Sequence, residues 1–135
     1  MYDKPEKIVN VEVVMNQADL LNTITEASSL TQIQEYIKTV IDLRGFSGES
    51  IQETMLLLLE ETGELAKAIR KTATNMSVDV DKMQSYDTVE SEVADVLIVL
   101  LAVCNKMNIN LFDALLEKER KNSARRWSFE RTPGH

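Results

Sequence analysis

Glu92-Val93-Ala94-Asp95-Val96-Leu97-Ile98-Val99-Leu100-Leu101-Ala102-Val103-Cys104 is the stretch on which the fold turns. Asp95 is the one residue between Val93 and Cys104 that is not apolar. Apolar side chains on nearly every side of a helix mark a central, buried element. The helix is predicted to start near Asp87 or Thr88 and to run to about Met107. An ionised carboxylate inside such a run is costly unless positive charge meets it. Glu92 stands one turn earlier on the same face.

A second acidic group follows a second greasy run. Met55-Leu56-Leu57-Leu58-Leu59 leads into Glu60, Glu61 and Glu64. Glu61 and Glu64 share one helix face, as do Glu92 and Asp95. If the two helices pack antiparallel, four carboxylates converge and repel one another. A hard divalent cation held by oxygen alone is the simplest physical reason for that arrangement, and oxygen ligation selects Mg²⁺, Mn²⁺ or Ca²⁺ over Zn²⁺. The one histidine, His135, closes the chain, so a di-iron site built on Glu-x-x-His pairs is not expected. Mg²⁺ keeps open coordination and bridges to phosphates, which makes this a phosphate-chemistry site before a structural one. Taken alone, Glu60, Glu61 and Glu64 read as a solvated face; Asp95 shifts the balance toward metal.

Working outward, Ser29 and Thr31 each have Gln three residues on, the capping-box spacing. The helix that follows carries Ile33, Tyr36, Ile37, Val40 and Ile41 on one stripe, and Gly45 ends it. Ser50, with Glu53 three residues later, starts the next, which runs to about Lys71. Residues 72–87 are polar and mixed: a loop, with room for a short helical turn and for movement over a site. Asn110 caps a last helix that runs to about Arg126. Before residue 29 the reading is weaker: Val9, Val11 and Val13 alternate as in a short strand or an extended arm, and Ala18 to Thr25 suit a turn or two of helix. The fold expected is all-α, an antiparallel four-helix bundle over residues 29–127, with an arm at 1–28 and a frayed tail at 128–135. The apolar run is too greasy for a thin lone bundle, so a subunit interface is expected to complete it.

Composition agrees and excludes. A hydrophobic fraction of 44% with 4 Gly and 2 Pro suits one helical domain with a real core. A net charge of −7 argues against nucleic-acid binding through phosphates. The single Cys104 forms no internal disulfide and reads as a buried, inert thiol of an intracellular, cytoplasmic protein. Val96 to Cys104 falls far short of the ~20 residues a membrane span needs, and Met1-Tyr2-Asp3-Lys4-Pro5 shows no signal pattern. No membrane or nucleic-acid partner is expected.

Cations recur beside the acids. Lys67 and Lys71 continue the face of Glu64. Lys118, Lys121 and Arg125 recur at spacings of three and four, with Asn122 beside them. This stripe suits phosphate oxygens, Arg125 in bidentate fashion, or it simply complements a helix C-terminus. Trp127 either stacks on a base or anchors the helix end, and Phe46 carries the same ambiguity.

The spacing Glu60-Glu61-Thr62-Gly63-Glu64 followed by Glu92-Val93-Ala94-Asp95 resembles the E-E-x-x-E … E-x-x-D signature of the MazG-like family, all-α nucleoside triphosphate pyrophosphohydrolases. Leu59 to Lys71 looks like the family's second helix, and Lys121-Asn122-Ser123-Ala124-Arg125-Arg126-Trp127 like its basic closing segment. The resemblance covers roughly residues 29 to 127. It implies that Glu61, Glu64, Glu92 and Asp95 ligate Mg²⁺, with Mn²⁺ a substitute, and that Glu60 orients water or a ligand beside them. Glu60 and Glu61 are then the catalytic carboxylates. Lys67, Lys118, Lys121, Asn122, Arg125 and Trp127 are implied to meet the substrate. The reaction implied is attack of water on the α-phosphorus of an NTP or dNTP, giving a nucleoside monophosphate and pyrophosphate, in a homodimer or homotetramer. Residues 1–28 have no place in the family pattern, and the loop at 72–87 leaves base preference open. Competing expectations are a phosphoribosyl-ATP pyrophosphohydrolase and a non-catalytic helical nucleotide-binding or regulatory module that kept the acidic face.

Overall fold

The computed structural model describes residues 16–83 and 87–128, and all regular structure among them is helical. The elements are α1 (Gln17–Leu21), α2 (Leu30–Leu43), α3 (Ile51–Ala73), α4 (Val80–Met83), α5 (Val89–Lys106) and α6 (Leu111–Ala124). The valine alternation at 9–13 and the tail beyond Ser128 lie outside the described residues.

The caps are local chemistry, which is why they were legible. Ser29 and Gln32 form the expected reciprocal capping box on α2, satisfying two donors that the first turn leaves open. Gly45, with φ +83°, follows the Arg44 cap of α2, a backbone conformation that L side chains resist. Ser50 accepts from the Glu53 amide at the start of α3. The return bond of a box is replaced by the Ser50 hydroxyl donating to the Glu53 carboxylate at 3.2 Å. Thr88 and Asn110 cap α5 and α6 in the same way.

α3 and α5 form the main helix pair, with α2 laid across α5. The core is Ile37 and Val40 of α2 against Leu101 of α5, flanked by Leu20, Leu30, Ile33, Ile98 and Leu111. A polar clamp fixes the corner between α5 and α6. Buried Gln34 donates to the Asn105 side chain at 3.0 Å and to the Ile109 carbonyl at 2.6 Å. Its own side-chain oxygen accepts from the Leu111 amide at 3.0 Å. Asn108 takes the left-handed conformation, φ 53°, in that turn, and the axes of α5 and α6 meet at a bend of 96°. At the end of α5 the Lys106 ammonium donates to the carbonyls of Ser47 and Glu49, tying the helix to the α2–α3 connection.

One expectation is met only in part. α5 is apolar on nearly all sides, yet this chain covers one side of it. Val93, Leu97 and Leu100 are exposed, as are Met55, Leu56 and Leu59 on α3 and Phe112, Leu115 and Leu116 on α6. The four long helices are present, but α6 leans on the start of α2 and packs little against α3 or α5. Among the described residues no single helix is long and apolar enough to cross a membrane.

Candidate metal centre on α3 and α5

Antiparallel packing of α3 and α5 brings Glu61 of one against Glu92 and Asp95 of the other. One carboxylate oxygen from each lies within 4.8 Å of the other two. Glu64, one turn from Glu61, is close enough to act electrostatically on both Glu61 and Glu92, though its oxygens stand outside that tight group. Glu60 is exposed beside it. Burial falls differently from what the sequence suggested: Glu92 is 3% exposed and Asp95 only half-buried. The apolar run around Asp95 is open on its far side, whereas Glu92 points into the α3–α5 seam.

Among the described residues, none of Glu61, Glu92 and Asp95 makes an ion pair or a side-chain hydrogen bond. Burial, then the charges of Asp95, Glu92, Glu64 and Glu60, push Glu61 above the ordinary carboxylate value of 4.5. Burial, then Glu64, Asp95 and Asp87, push Glu92 the same way. An all-oxygen, mutually repelling set that makes no ion pair among the described residues fits a hard divalent cation.

A stability consequence follows from the sign of these shifts. A folded carboxyl whose pKa exceeds its unfolded value holds its proton where the unfolded chain has lost it. The metal-free protein therefore loses stability as pH rises from about 4.5 through the raised values of Glu61 and Glu92. A divalent cation reverses the trend, since it competes with protons for the same oxygens. Thermal unfolding from about pH 5 to about pH 8 should show a falling midpoint in EDTA and a widening gain with Mg²⁺. A midpoint rising with pH in EDTA would contradict it.

The expected substrate contacts divide into two places. Lys67 lies on α3, one turn beyond Glu64. Lys118, Lys121, Asn122, Arg125 and Trp127 lie on or just beyond α6, apart from the carboxylates. Trp127 folds back on its own helix: its indole N–H donates to the Asn122 carbonyl at 3.0 Å, and the Arg125 guanidinium sits 4.5 Å from the ring centre. These contacts hold the indole against the end of its own helix. Cys104 is buried, and burial pushes its thiol pKa up, in keeping with an inert thiol.

Sequence reasoning missed a cavity. About 280 Å³ of space lies between α2, α3 and α5, lined by Ile41, Phe46, Leu57, Ile98, Val99 and Ala102, with Arg44, Glu49, Thr54 and Lys106 completing the wall. Leu57 precedes Glu61 by four residues and Val99 follows Asp95 by four, so the cavity adjoins the carboxylates by one helical turn. That register was the available signal.

Residues 49–128 match the sequence profile of the MazG nucleotide pyrophosphohydrolase domain. The match spans more than half of the chain, and the protein belongs to the MazG family. That family hydrolyses nucleotide phosphoanhydrides and depends on metal. A search of curated proteins found no match.

Proposed function

We propose that this chain is a Mg²⁺-dependent pyrophosphohydrolase that cleaves a nucleoside or deoxynucleoside triphosphate to the monophosphate and pyrophosphate. The convergence of Glu61, Glu92 and Asp95 within 4.8 Å, with no ion pair to any of them among the described residues, carries this reading. Glu61, Glu92 and Asp95 would hold the cation, with Glu64 supporting from the adjoining turn; Mn²⁺ suits the same oxygens. When bound, the cation supplies charge neutralisation of the polyphosphate and a lowered pKa for water. Glu60, exposed beside the cluster, orients the attacking water and accepts its proton. The adjoining cavity offers the base a mostly apolar wall.

A pyrophosphate-release screen tests this. It covers the ribo- and deoxyribonucleoside triphosphates and phosphoribosyl-ATP, each with Mg²⁺, Mn²⁺ or EDTA. Metal-dependent release of pyrophosphate together with monophosphate is expected, and the best substrate names the base. Turnover of phosphoribosyl-ATP alone would move the assignment to that pyrophosphohydrolase. Metal binding without turnover of any of them would favour a non-catalytic module.

We further propose that the chain works as a homodimer or homotetramer. Exposed apolar residues on α3, α5 and α6 support this reading, since clustered apolar surface marks interaction sites. Size-exclusion chromatography with light scattering should give a mass of at least two chains; a stable monomer at micromolar concentration would refute it.

A further inference from the structure

The cavity between α2, α3 and α5 has two unlike ends. Leu57 and Val99 stand one turn from the carboxylates, and the sides are apolar. The other end is reached at Lys106, the last residue of α5. Val99 to Lys106 is about 10 Å along the helix axis at ~1.5 Å per residue. The volume, about 280 Å³, lies just under the ~300 Å³ at which small-molecule sites begin. That is room for one flat ring system rather than for a whole nucleotide.

Three charged side chains line the end away from the carboxylates: Arg44, Glu49 and Lys106. Lys106 donates to the backbone carbonyls of Ser47 and Glu49. It thereby fixes the connection that carries Glu49 and commits two of its three N–H donors. The Arg44 Nε donates to the Gln17 side chain at 3.0 Å, which leaves the outer guanidinium nitrogens for other work. Thr54 is 2% exposed, and its hydroxyl donates to the Ser50 carbonyl at 2.9 Å, so it has no donor left. The Glu49 carboxylate makes no ion pair or hydrogen bond among the described residues, and it does not pair with Arg44. The cavity wall thus holds an acceptor-only carboxylate and a separate donor-only guanidinium. The space between them suits a flat group that offers donors to one and an acceptor to the other.

The bases differ in how they meet such a pair. A carboxylate with both oxygens engaged needs two N–H donors side by side. Cytosine and adenine offer one amino group next to a ring nitrogen whose lone pair repels the second oxygen. Uracil and thymine offer one N–H flanked by two carbonyls. Guanine alone puts N1–H and a 2-amino group together, with the O6 acceptor beside them. We propose that this cavity takes a guanine ring, Glu49 accepting from N1–H and the 2-amino group while Arg44 donates to O6, so that the preferred substrate is a guanine nucleoside triphosphate. This rests on the reading of the carboxylates as a metal–triphosphate site, which places the phosphates one helical turn from the apolar end of the cavity.

Inosine triphosphate lacks only the 2-amino group, so it isolates one of these hydrogen bonds. Wild-type kcat/KM is expected to be about 10- to 10²-fold higher for GTP than for ITP, since the missing donor leaves a carboxylate oxygen unpaired. ATP, CTP and UTP should fall at least as far behind. Glu49→Gln exchanges one acceptor oxygen for an amide N–H donor. It is expected to lose the guanine preference and to favour xanthosine triphosphate, whose 2-carbonyl accepts from that donor. A substitution that only loosened the fold would lower every substrate alike. Equal use of GTP and ITP by the wild type would overturn the proposal, and so would a base ranking unchanged in Glu49→Gln. Calorimetric binding of GMP, IMP and XMP in EDTA reads the same ranking without metal or turnover. GMP bound in preference to IMP, with no triphosphate hydrolysed, would defeat the assigned reaction and leave the guanine assignment standing. Metal-dependent pyrophosphate release from all bases alike would do the reverse.

Discussion

Asp95→Asn is expected to abolish metal-dependent hydrolysis while leaving the metal-free protein at least as stable as the wild type. The substitution keeps the shape of the side chain and removes one negative charge. Glu61 then faces one repelling neighbour fewer, since Asp95 is the largest charge acting on it, so its ionised form costs less. On the proposed reading the cation loses one of its three close anionic ligands. Charge stabilisation of several kcal/mol rests on that ion, and each ~1.4 kcal/mol is tenfold in rate, so a loss of about 10³-fold is expected. Two measurements check the prediction: pyrophosphate release at saturating Mg²⁺, and the unfolding midpoint in EDTA. A large fall in the metal-free midpoint would show that Asp95 has a structural partner. Retained turnover would remove it from the metal site.

Leu101→Ala should have the largest effect on stability. Leu101 is 1% exposed and closes the core against Ile37 and Val40. Truncation removes transfer energy and leaves a cavity that neighbours on two rigid helices fill poorly. The cost is about 2–5 kcal/mol out of the ~5–15 kcal/mol typical of a domain. For a chain of this size that lowers the midpoint by roughly 10–20 °C. Leu97→Ala is the informative comparison. Leu97 is one turn away on the same helix but exposed in the single chain. If a second copy covers it, Leu97→Ala also destabilises, and the midpoint depends on protein concentration. If nothing covers it, the change is expected within about 0.5 kcal/mol. Denaturant melts of both variants at two concentrations separate the cases.

The helices were legible because their signals are local. Ser29, Ser50, Thr88 and Asn110 each satisfy the amide three residues ahead, and Gly45 relieves a backbone strain at its own position; none of this needs the rest of the chain. The acidic pairs were legible for the same reason, since three- and four-residue spacing fixes a shared face before any packing occurs. Burial was harder. Asp95 looked like the costly buried charge because its neighbours in sequence are apolar. A neighbour in sequence lies 100° around the helix, however, and which side is covered depends on the partner helix. Glu92, preceded by Ser91 and Glu90, is the one the seam encloses. Gln34 gave no signal at all: one polar residue beside the Ile33–Ile37 stripe looks like any surface glutamine, and its three-way clamp exists only once Asn105, Ile109 and Leu111 arrive from more than seventy residues away.

The sequence by itself determined where the helices start and stop, which carboxylates share a face, and that the pattern belongs to a nucleotide pyrophosphohydrolase family. Only the tertiary structure decided which three carboxylates close to within 4.8 Å, that an apolar cavity adjoins them, and that the basic stripe of α6 stands apart from them. The reason is physical. Caps and helical periodicity act over four residues, whereas the α3–α5 seam and the 96° corner are set by contacts between residues distant in the chain.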